Sequence, residues 1–253
     1  MWDPGTYLAF AEQRERPMRD LLARMLTPSA RRVVDLGCGA GNLTPLLTER
    51  WPGAEVEALD SSPEMVAAAV RSGVPAEIAD IREWMPRSDT DVVVCNAVLH
   101  WIPGHLELVE RWLSRLPPGA CFGMQLPGNF AAPAHRICYQ LAAEPEWRSE
   151  IGEVPRDPNR VSGPVEYAEA LAEFDVEIDA WETTYIHRLH GEDPVLAWLS
   201  GTALRPIHAL LDDHRWRRFT AELAPRLREA YPPRADGSTW LPFRRIFLVA
   251  HRN

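Results

Sequence analysis

One short stretch, residues 33–41, constrains the fold more than any other part of the chain. It reads VVDLGCGAG, so two β-branched residues lead to an acid and three glycines then alternate with other residues. The apolar spacing of Leu43, Leu46 and Leu47 behind it is typical of a helix start. A strand, a tight glycine turn and a helix form the first unit of a nucleotide-type binding fold.

Strands and helices alternate from this unit onward to residue 126. We predict strands at 32–36, 55–60, 76–80, 91–96 and 120–126. This alternation is typical of a doubly wound, mostly parallel α/β sheet of the Rossmann-like type. Two later extended segments, 177–188 and 245–250, flank a helical stretch. We therefore expect seven strands with a late antiparallel strand, and a helical cap insertion at about 190–240 between the last two.

The chain is expected to form a single domain over 1–253, with an N-terminal lid segment at 1–25. A helix beginning near Pro17 fits, because proline is tolerated in the first helical turn. The short aromatic and charged segment before it suits a lid over a site. Its alternative is a frayed amphipathic helix.

Composition limits the partners. The formal net charge is −9, which argues against general nucleic-acid binding. No lysine occurs, so any anion site must use arginine, whose guanidinium binds carboxylates in a bidentate fork. The four cysteines lack paired spacing, which favours a reducing compartment without disulfide or metal. With no signal peptide or membrane-length apolar run, we expect a soluble, cytoplasmic protein with no obligate protein partner.

Three acids end three successive predicted strands: Asp35, Asp60 and Asp80. Such ends line one crevice in a doubly wound sheet. A dinucleotide fingerprint needs a third glycine where Asn42 stands, and Asp35 would repel a pyrophosphate. S-adenosylmethionine has an ammonium and a sulfonium but no phosphate, so it fits better. Asp60 is placed for the ribose hydroxyls and Asp80 for the adenine amino group.

A family resemblance extends along nearly the whole chain. Residues 35–42 (DLGCGAGN), the segment from Asp60 to Met65, and residues 79–81 (ADI) are similar to the first three motifs of class I S-adenosylmethionine-dependent methyltransferases. The segments that resemble the trans-aconitate 2-methyltransferase family are 2–4 with 7–8 and 14–17, 96–97 with 101–103, 183–185 with His187, 201–206 (GTALRP), and 227–232 with 234–237. His100, Ile186 and Arg188 depart from that family's usual residues, which leaves the exact acid open.

The resemblance implies methyl transfer to a carboxylate of trans-aconitate, giving a monomethyl ester. A carboxylate is ionised at neutral pH, so orientation and water exclusion replace a general base, and no catalytic residue is assigned. The expected cofactor-binding residues are Arg14, Asp35, Gly37, Cys38, Gly39, Asp60, Ser61, Met65, Asp80, Ile81, Asn96 and Trp101. The expected substrate-binding residues are Tyr7, Arg16, Trp101, Tyr185, His187 and Arg205.

Each substrate residue has a structural alternative. Arg205 is the strongest clamp candidate because it lies in an apolar string, but it could instead form an ion pair. Tyr185 and His187 could simply pack in a core. The rival acceptors are another small acid, a phenol or an acid carried on an acyl-carrier protein. An NAD(P)-dependent oxidoreductase and a non-catalytic cofactor-binding regulator remain as alternatives of other classes.

Overall fold

A computed structural model describes residues 11–152 and 161–253. Its strands are β1 (Arg32–Leu36), β2 (Glu55–Asp60), β3 (Ala76–Ile78), β4 (Thr90–Asn96), β5 (Cys121–Pro127), β6 (Val176–Leu189) and β7 (Thr239–Arg252). Its helices are α1 (Ala11–Arg24), α2 (Thr44–Arg50), α3 (Pro63–Arg71), α4 (His105–Leu113), α5 (Pro133–Ala142), α6 (Pro145–Ile151), α7 (Pro164–Leu171), α8 (Pro194–Ser200), α9 (Arg205–His208) and α10 (Asp213–Ala230).

The seven strands form one sheet in the order β3-β2-β1-β4-β5-β7-β6. β1 pairs in parallel with β2 and β4, and β4 pairs in parallel with β5. β7 runs antiparallel to β5, with Gln125 opposite Phe247. The predicted mostly parallel, seven-stranded sheet with a late antiparallel strand is confirmed.

Apolar residues explain why the central strands form. Val92, Val93 and Val94 of β4 are fully buried, as are Val33 and Val34 of β1. Continuous burial of this kind is characteristic of parallel strands covered on both faces. Because these strands pair in parallel, the carboxyl ends of β1, β2, β4 and β5 lie along one edge of the sheet.

The chain divides into two compact units. The sheet unit comprises Arg14–Pro127, Val161–Thr183 and Arg245–Asn253. Within the described residues, the helical unit comprises 11–13, 128–152 and Thr184–Arg244. Helices α8, α9 and α10 of the helical unit lie between β6 and β7 in the chain.

The helical unit has a hydrophobic core of its own. Trp147 of α6 is fully buried and its ring meets Phe219 of α10 edge-on, with centroids 5.1 Å apart. Arg215 lies over the Trp147 ring at 4.2 Å and bonds to Glu150. An aromatic contact and an ion pair thus join α6 to α10.

The first helix differs from the expectation. α1 includes Pro17 in its interior rather than beginning near it. Interior proline removes one backbone hydrogen bond, but Pro17 is buried beside Met18, and Leu21 is also buried, so tertiary packing offsets that cost. Gly123 permits this packing, because a Cβ there would lie 2.6 Å from the Sδ atom of Met25.

Two features are absent from the described residues, 11–152 and 161–253. None of the helices there is long and apolar enough to cross a membrane. Within the same ranges, no three His, Cys, Asp or Glu side chains are grouped as a metal site would require.

Candidate functional site

The glycine turn after β1 is bonded to the neighbouring strand. The amides of Gly37 and Cys38 both donate to the Leu59 carbonyl, at 2.8 and 2.9 Å. The Gly39 amide donates to Asp60 Oδ2 at 2.9 Å, and that of Gly41 to the Cys38 carbonyl at 3.1 Å. These four amides are therefore engaged within the protein. A pyrophosphate would need such donors, so this turn is poorly suited to a dinucleotide.

Gly37 and Gly39 both have left-handed backbone conformations, with φ of 78° and 58°. A Cβ on Gly37 would lie 2.4 Å from Cγ2 of Val98, so this glycine allows close packing within the protein. A Cβ on Gly39 would meet no described heavy atom within 4 Å. The open space beside Gly39 is where a ligand can approach the backbone.

Asp60, at the end of β2, accepts two backbone hydrogen bonds. Its Oδ1 atom accepts from the Ser62 amide at 2.9 Å, and its Oδ2 atom from Gly39. Ser62 also caps α3, because its Oγ atom accepts from the Met65 amide. Each carboxylate oxygen has a second lone pair, so Asp60 can still accept from hydroxyl groups. Ser61 is exposed and Met65 is half-buried beside this acid.

Asp35 is a buried acid at the base of the turn. Only 4% of its surface is exposed, and its Oδ2 atom accepts from Thr44 Oγ1 at 2.6 Å. Burial raises the pKa of Asp35 to about 6, and the nearby Asp60 charge adds to this effect. Burial, with the Asp35 and Asp60 charges, also raises the pKa of the Cys38 thiol to about 12. The Cys38 thiol is therefore uncharged at neutral pH and does not act as a nucleophile.

Asp80 is engaged by a neighbour that sequence reasoning did not anticipate. Its oxygens accept from the Arg82 guanidinium, with Nε 2.9 Å from each, and Oδ1 also accepts from the Arg82 amide. The hydrogen bonds from Arg82 lower the pKa of Asp80. Ile81, which follows, is buried in the core of the sheet unit.

The end of β4 provides a further polar group. Asn96 Oδ1 is buried and has no hydrogen-bond partner among the described residues. The next residue, Ala97, has a left-handed φ of 57°, which is costly for a residue with a Cβ. The short helix Leu99–Trp101 follows and leaves Trp101 half exposed. An orphan acceptor suits a ligand with a donor such as an ammonium group.

The predicted substrate residues of the helical unit do not form one group. Tyr185 and His187 alternate on β6 and are both buried. His187 stacks on Trp198, with ring centroids 4.8 Å apart, and Tyr185 stacks on His187 at 6.3 Å. Arg205, at the start of α9, is exposed and forms no ion pair with any described residue. The apolar residues around Arg205 do not bury it, because Leu204 and Ile207 take the buried positions.

The remaining predicted residues lie near the N-terminus. Arg16 is exposed on α1. Arg14 belongs to the same helix, but its side chain is outside the described part of the chain. Tyr7 and the first part of the predicted lid also lie outside the described residues.

The structure also contains site candidates that sequence reasoning missed. Thr44 orients Asp35, and Gln125 and Arg245 are buried polar residues in β5 and β7. The signal that could have revealed the latter two is a glutamine inside the apolar strand β5 and an arginine directly before the apolar run 246–250 of β7.

Comparison with known proteins identifies the family. The methyltransferase domain family matches residues 10–164. The chain is 55% identical over 251 residues to the trans-aconitate 2-methyltransferase of Rhodococcus jostii, covering 99% of each chain. It is 52% identical to the protein of that name from Mycobacterium tuberculosis, covering 99% of this chain and 96% of the other.

Solved structures share the fold. The YcgJ protein from Bacillus subtilis superposes with a TM-score of 0.58 at 14% identity, over 94% of this chain and 99% of that one. The plantazolicin methyltransferase BpumL, in complex with SAH, gives 0.51 at 14% identity, over 99% and 91%. With the sequence relatives above, the chain belongs to the trans-aconitate 2-methyltransferase family of S-adenosylmethionine-dependent methyltransferases.

Proposed function

We propose that this protein transfers a methyl group from S-adenosylmethionine to a carboxylate of trans-aconitate, producing a monomethyl ester. The observation that carries the proposal is the 55% identity to a trans-aconitate 2-methyltransferase over 251 residues. That identity continues beyond residue 164, where the match to the general methyltransferase domain ends. The likeness therefore includes segments other than the common cofactor-binding motifs.

The residues of the glycine turn fit the proposed cofactor. Carboxylates at Asp35 and Asp60 favour a ligand with a positive charge, and the space beside Gly39 leaves room for it. Asn96 Oδ1 would accept a hydrogen bond from its ammonium group, and Asp60 would accept from its ribose hydroxyls. The cofactor supplies an activated methyl group on a sulfonium when bound. Asp80 would reach the adenine amino group only by sharing its oxygens with Arg82.

The protein's part in this chemistry is binding and orientation. The acceptor carboxylate is ionised at neutral pH, so no residue has to remove a proton from it. What the chain must provide is an approach of the carboxylate oxygen in line with the methyl carbon, and the exclusion of water. A neutral Cys38 thiol is compatible with this role, because it cannot compete as a nucleophile.

Six residues are proposed to bind the acceptor. Trp101, Tyr185, His187 and Arg205 are four of them, in the described part of the chain, and Tyr7 and Arg16 are the other two. Arg205 is the easiest to test, because it is exposed and its replacement should not disturb the core. A cytoplasmic setting is also proposed, in keeping with four cysteines that are all free.

The experiment is a methyl-transfer assay with labelled S-adenosylmethionine over a panel of polycarboxylic acids, phenols and carrier-bound acids. We expect ester formation from trans-aconitate, and loss of that activity in Arg205→Ala with unchanged binding of S-adenosylhomocysteine by calorimetry. Arg217→Ala on α10, also at an exposed position, serves as the matched control. Turnover of a phenol or a carrier-bound acid in place of every free polycarboxylate would overturn the acceptor assignment.

A further inference from the structure

Two polar side chains lie inside the sheet unit, near the end of β5 and at the point where β7 enters the unit. Gln125 is fully buried and Arg245 is 6% exposed. Arg245 Nη1 donates to Gln125 Oε1 across 3.0 Å. In the antiparallel ladder, Gln125 is opposite Phe247 and Pro127 is opposite Arg245, so the two polar residues are diagonal neighbours on one face of the sheet.

The next strand brings a third polar group to this face. Asn96 of β4 is in register with Gln125 of β5. Asn96 Oδ1 and Gln125 Nε2 are both buried, and neither has a hydrogen-bond partner among the described residues. Buried amide groups are nearly always satisfied, so the unsatisfied Gln125 donor points to a ligand with an acceptor, and the unsatisfied Asn96 acceptor points to one with a donor.

The chemistry of the pair selects an anion. A guanidinium has five N–H donors and no acceptor, and it stays charged at any ordinary pH. Its planar fork matches the two oxygens of a carboxylate. Gln125 Nε2 adds a neutral donor next to that fork. Both residues lie at the sheet edge that carries Asp35, Asp60 and Asn96, where doubly wound sheets bind their ligands.

The geometry points to Gln125 and Arg245 as the residues that hold a carboxylate of the acceptor other than the one that is methylated. This inference rests on the proposed function, since it presumes an acceptor with more than one carboxylate. The held carboxylate is the non-reacting one because oxygens that accept from a guanidinium fork have their lone pairs committed and are poorer nucleophiles. The pair therefore determines specificity for polycarboxylates by anchoring the part of the molecule that does not react.

The decisive variant is Gln125→Glu. The new carboxylate would pair with Arg245 inside the sheet, so the fold should be retained, while it would repel the acceptor's carboxylate and occupy its site. We expect KM for trans-aconitate to rise about tenfold or more, with kcat within about twofold and S-adenosylhomocysteine affinity unchanged. Arg245→Lys, which removes the fork but keeps the charge, should raise KM in the same way.

Arg252→Lys is the matched control, because it makes the same change on the same strand. Arg252 lies seven residues further along β7, about 23 Å away at about 3.3 Å per residue. It should leave KM unchanged. Calorimetry of trans-aconitate with protein saturated in S-adenosylhomocysteine provides a readout without turnover, and should show the same loss of affinity for Gln125→Glu.

A set of trans-aconitate analogues, each with one carboxylate replaced by a carboxamide, identifies the contact. For the analogue that lacks the held carboxylate, the KM of the wild type should rise and the further effect of Gln125→Glu should disappear. Equal effects of Gln125→Glu on all analogues, or an unchanged KM in a folded variant, would mean that the pair is only structural.

The two hypotheses fail in different ways. If the wild type methylates trans-aconitate and the pair variants do so equally well, only the inference about the pair fails. If the wild type methylates another polycarboxylate instead, the proposed acceptor fails, and carboxamides of that acid test the pair. If it methylates no carboxylate, both are wrong.

Discussion

The buried position of Asp35 lowers the stability of the folded protein at neutral pH and suits the binding of a positively charged ligand. Its pKa is raised to about 6 by burial, from an ordinary value of 3.8. A carboxyl group with a raised native pKa contributes stability at low pH that is lost as the pH rises through 6. A shift of this size corresponds to about 3 kcal/mol. A positively charged ligand would offset that loss by favouring the ionised form.

We therefore predict that Asp35→Asn makes the ligand-free protein more stable at pH 7.5, by up to about 3 kcal/mol in urea unfolding. The amide can still accept from Thr44, and the difference should shrink steeply toward about pH 4, as the wild-type acid becomes protonated in both states. S-adenosylmethionine binding should weaken in the same variant. A variant that is less stable at pH 7.5 would contradict this account of the buried charge.

Gly37 and Gly39 of the turn should respond differently to replacement by alanine. Gly37→Ala would place a Cβ 2.4 Å from Cγ2 and 2.7 Å from Cβ of Val98, so it should lower stability by more than the cost of its left-handed backbone alone. Gly39→Ala meets no described atom within 4 Å, so its cost should be limited to the left-handed backbone, about 1 kcal/mol.

Cofactor affinity separates the two variants. Gly39→Ala should fold normally and bind S-adenosylhomocysteine much more weakly, because its methyl group would occupy the space left for the ligand. Thermal unfolding and calorimetry on the two variants measure both quantities. If Gly39→Ala binds normally, the ligand does not approach the backbone there.

The sequence predicted which residues form this turn better than it predicted their hydrogen-bond partners. Asp35, Asp60 and the glycines follow from a motif whose spacing is local, and the structure joins them by hydrogen bonds. Whether Asp80 is free or paired depends on the side-chain conformation of Arg82, which no pattern encodes. Gln125 and Arg245 are separated by 120 residues, and only the strand register brings them together.

At the scale of elements, periodicity was most informative where burial is two-sided. The apolar run of β4 was recognisable because a central parallel strand has few polar positions. The predicted start of α1 was wrong: local rules place a proline in the first turn of a helix, but tertiary packing keeps Pro17 in the interior of this one. Helix α6 was not predicted, because its seven residues are too few to show a period and it depends on Trp147 packing against Phe219.

Helix α5 carries a buried histidine that should make the helical unit sensitive to acid. His135 is 5% exposed, lies between Phe130 and Tyr139, and has a pKa lowered from 6.5 to about 4 by burial. A base with a depressed native pKa contributes stability above pH 6.5 that is lost as the pH falls through 4. The full loss is about 3 kcal/mol.

His135→Phe should remove this dependence, because the phenyl ring does not titrate and fits among aromatic neighbours. Urea unfolding between pH 7 and pH 4.5 measures how the free energy of unfolding changes with pH. This slope is compared rather than the absolute stability, because the larger phenyl ring also changes the packing. His190→Phe, at an exposed position after β6, is the control. An unchanged slope in His135→Phe would mean that other groups dominate acid sensitivity.

For the whole molecule, the two units are joined through their longest strands. β6 passes from the sheet unit to the helical unit between Thr183 and Thr184, and β7 passes back between Arg244 and Arg245. Unfolding of either unit would release one end of a strand that continues into the other unit and weaken the ladder there. We therefore expect the described parts of both units to unfold in one cooperative transition.

Asp35 and His135 test this cooperativity because they lie in different units and have opposite pH dependences in the same range. If unfolding is one transition, Asp35→Asn and His135→Phe will both move its single midpoint, and their effects should add, since the two residues belong to different units. S-adenosylhomocysteine will raise that same midpoint by mass action, about 2.7 kcal/mol at a hundredfold excess over Kd. Calorimetric scans of both single variants and the double variant between pH 4.5 and 7.5 measure this. Two transitions, one moved by Asp35→Asn and the ligand and the other by His135→Phe alone, would show that the units unfold independently despite their shared strands.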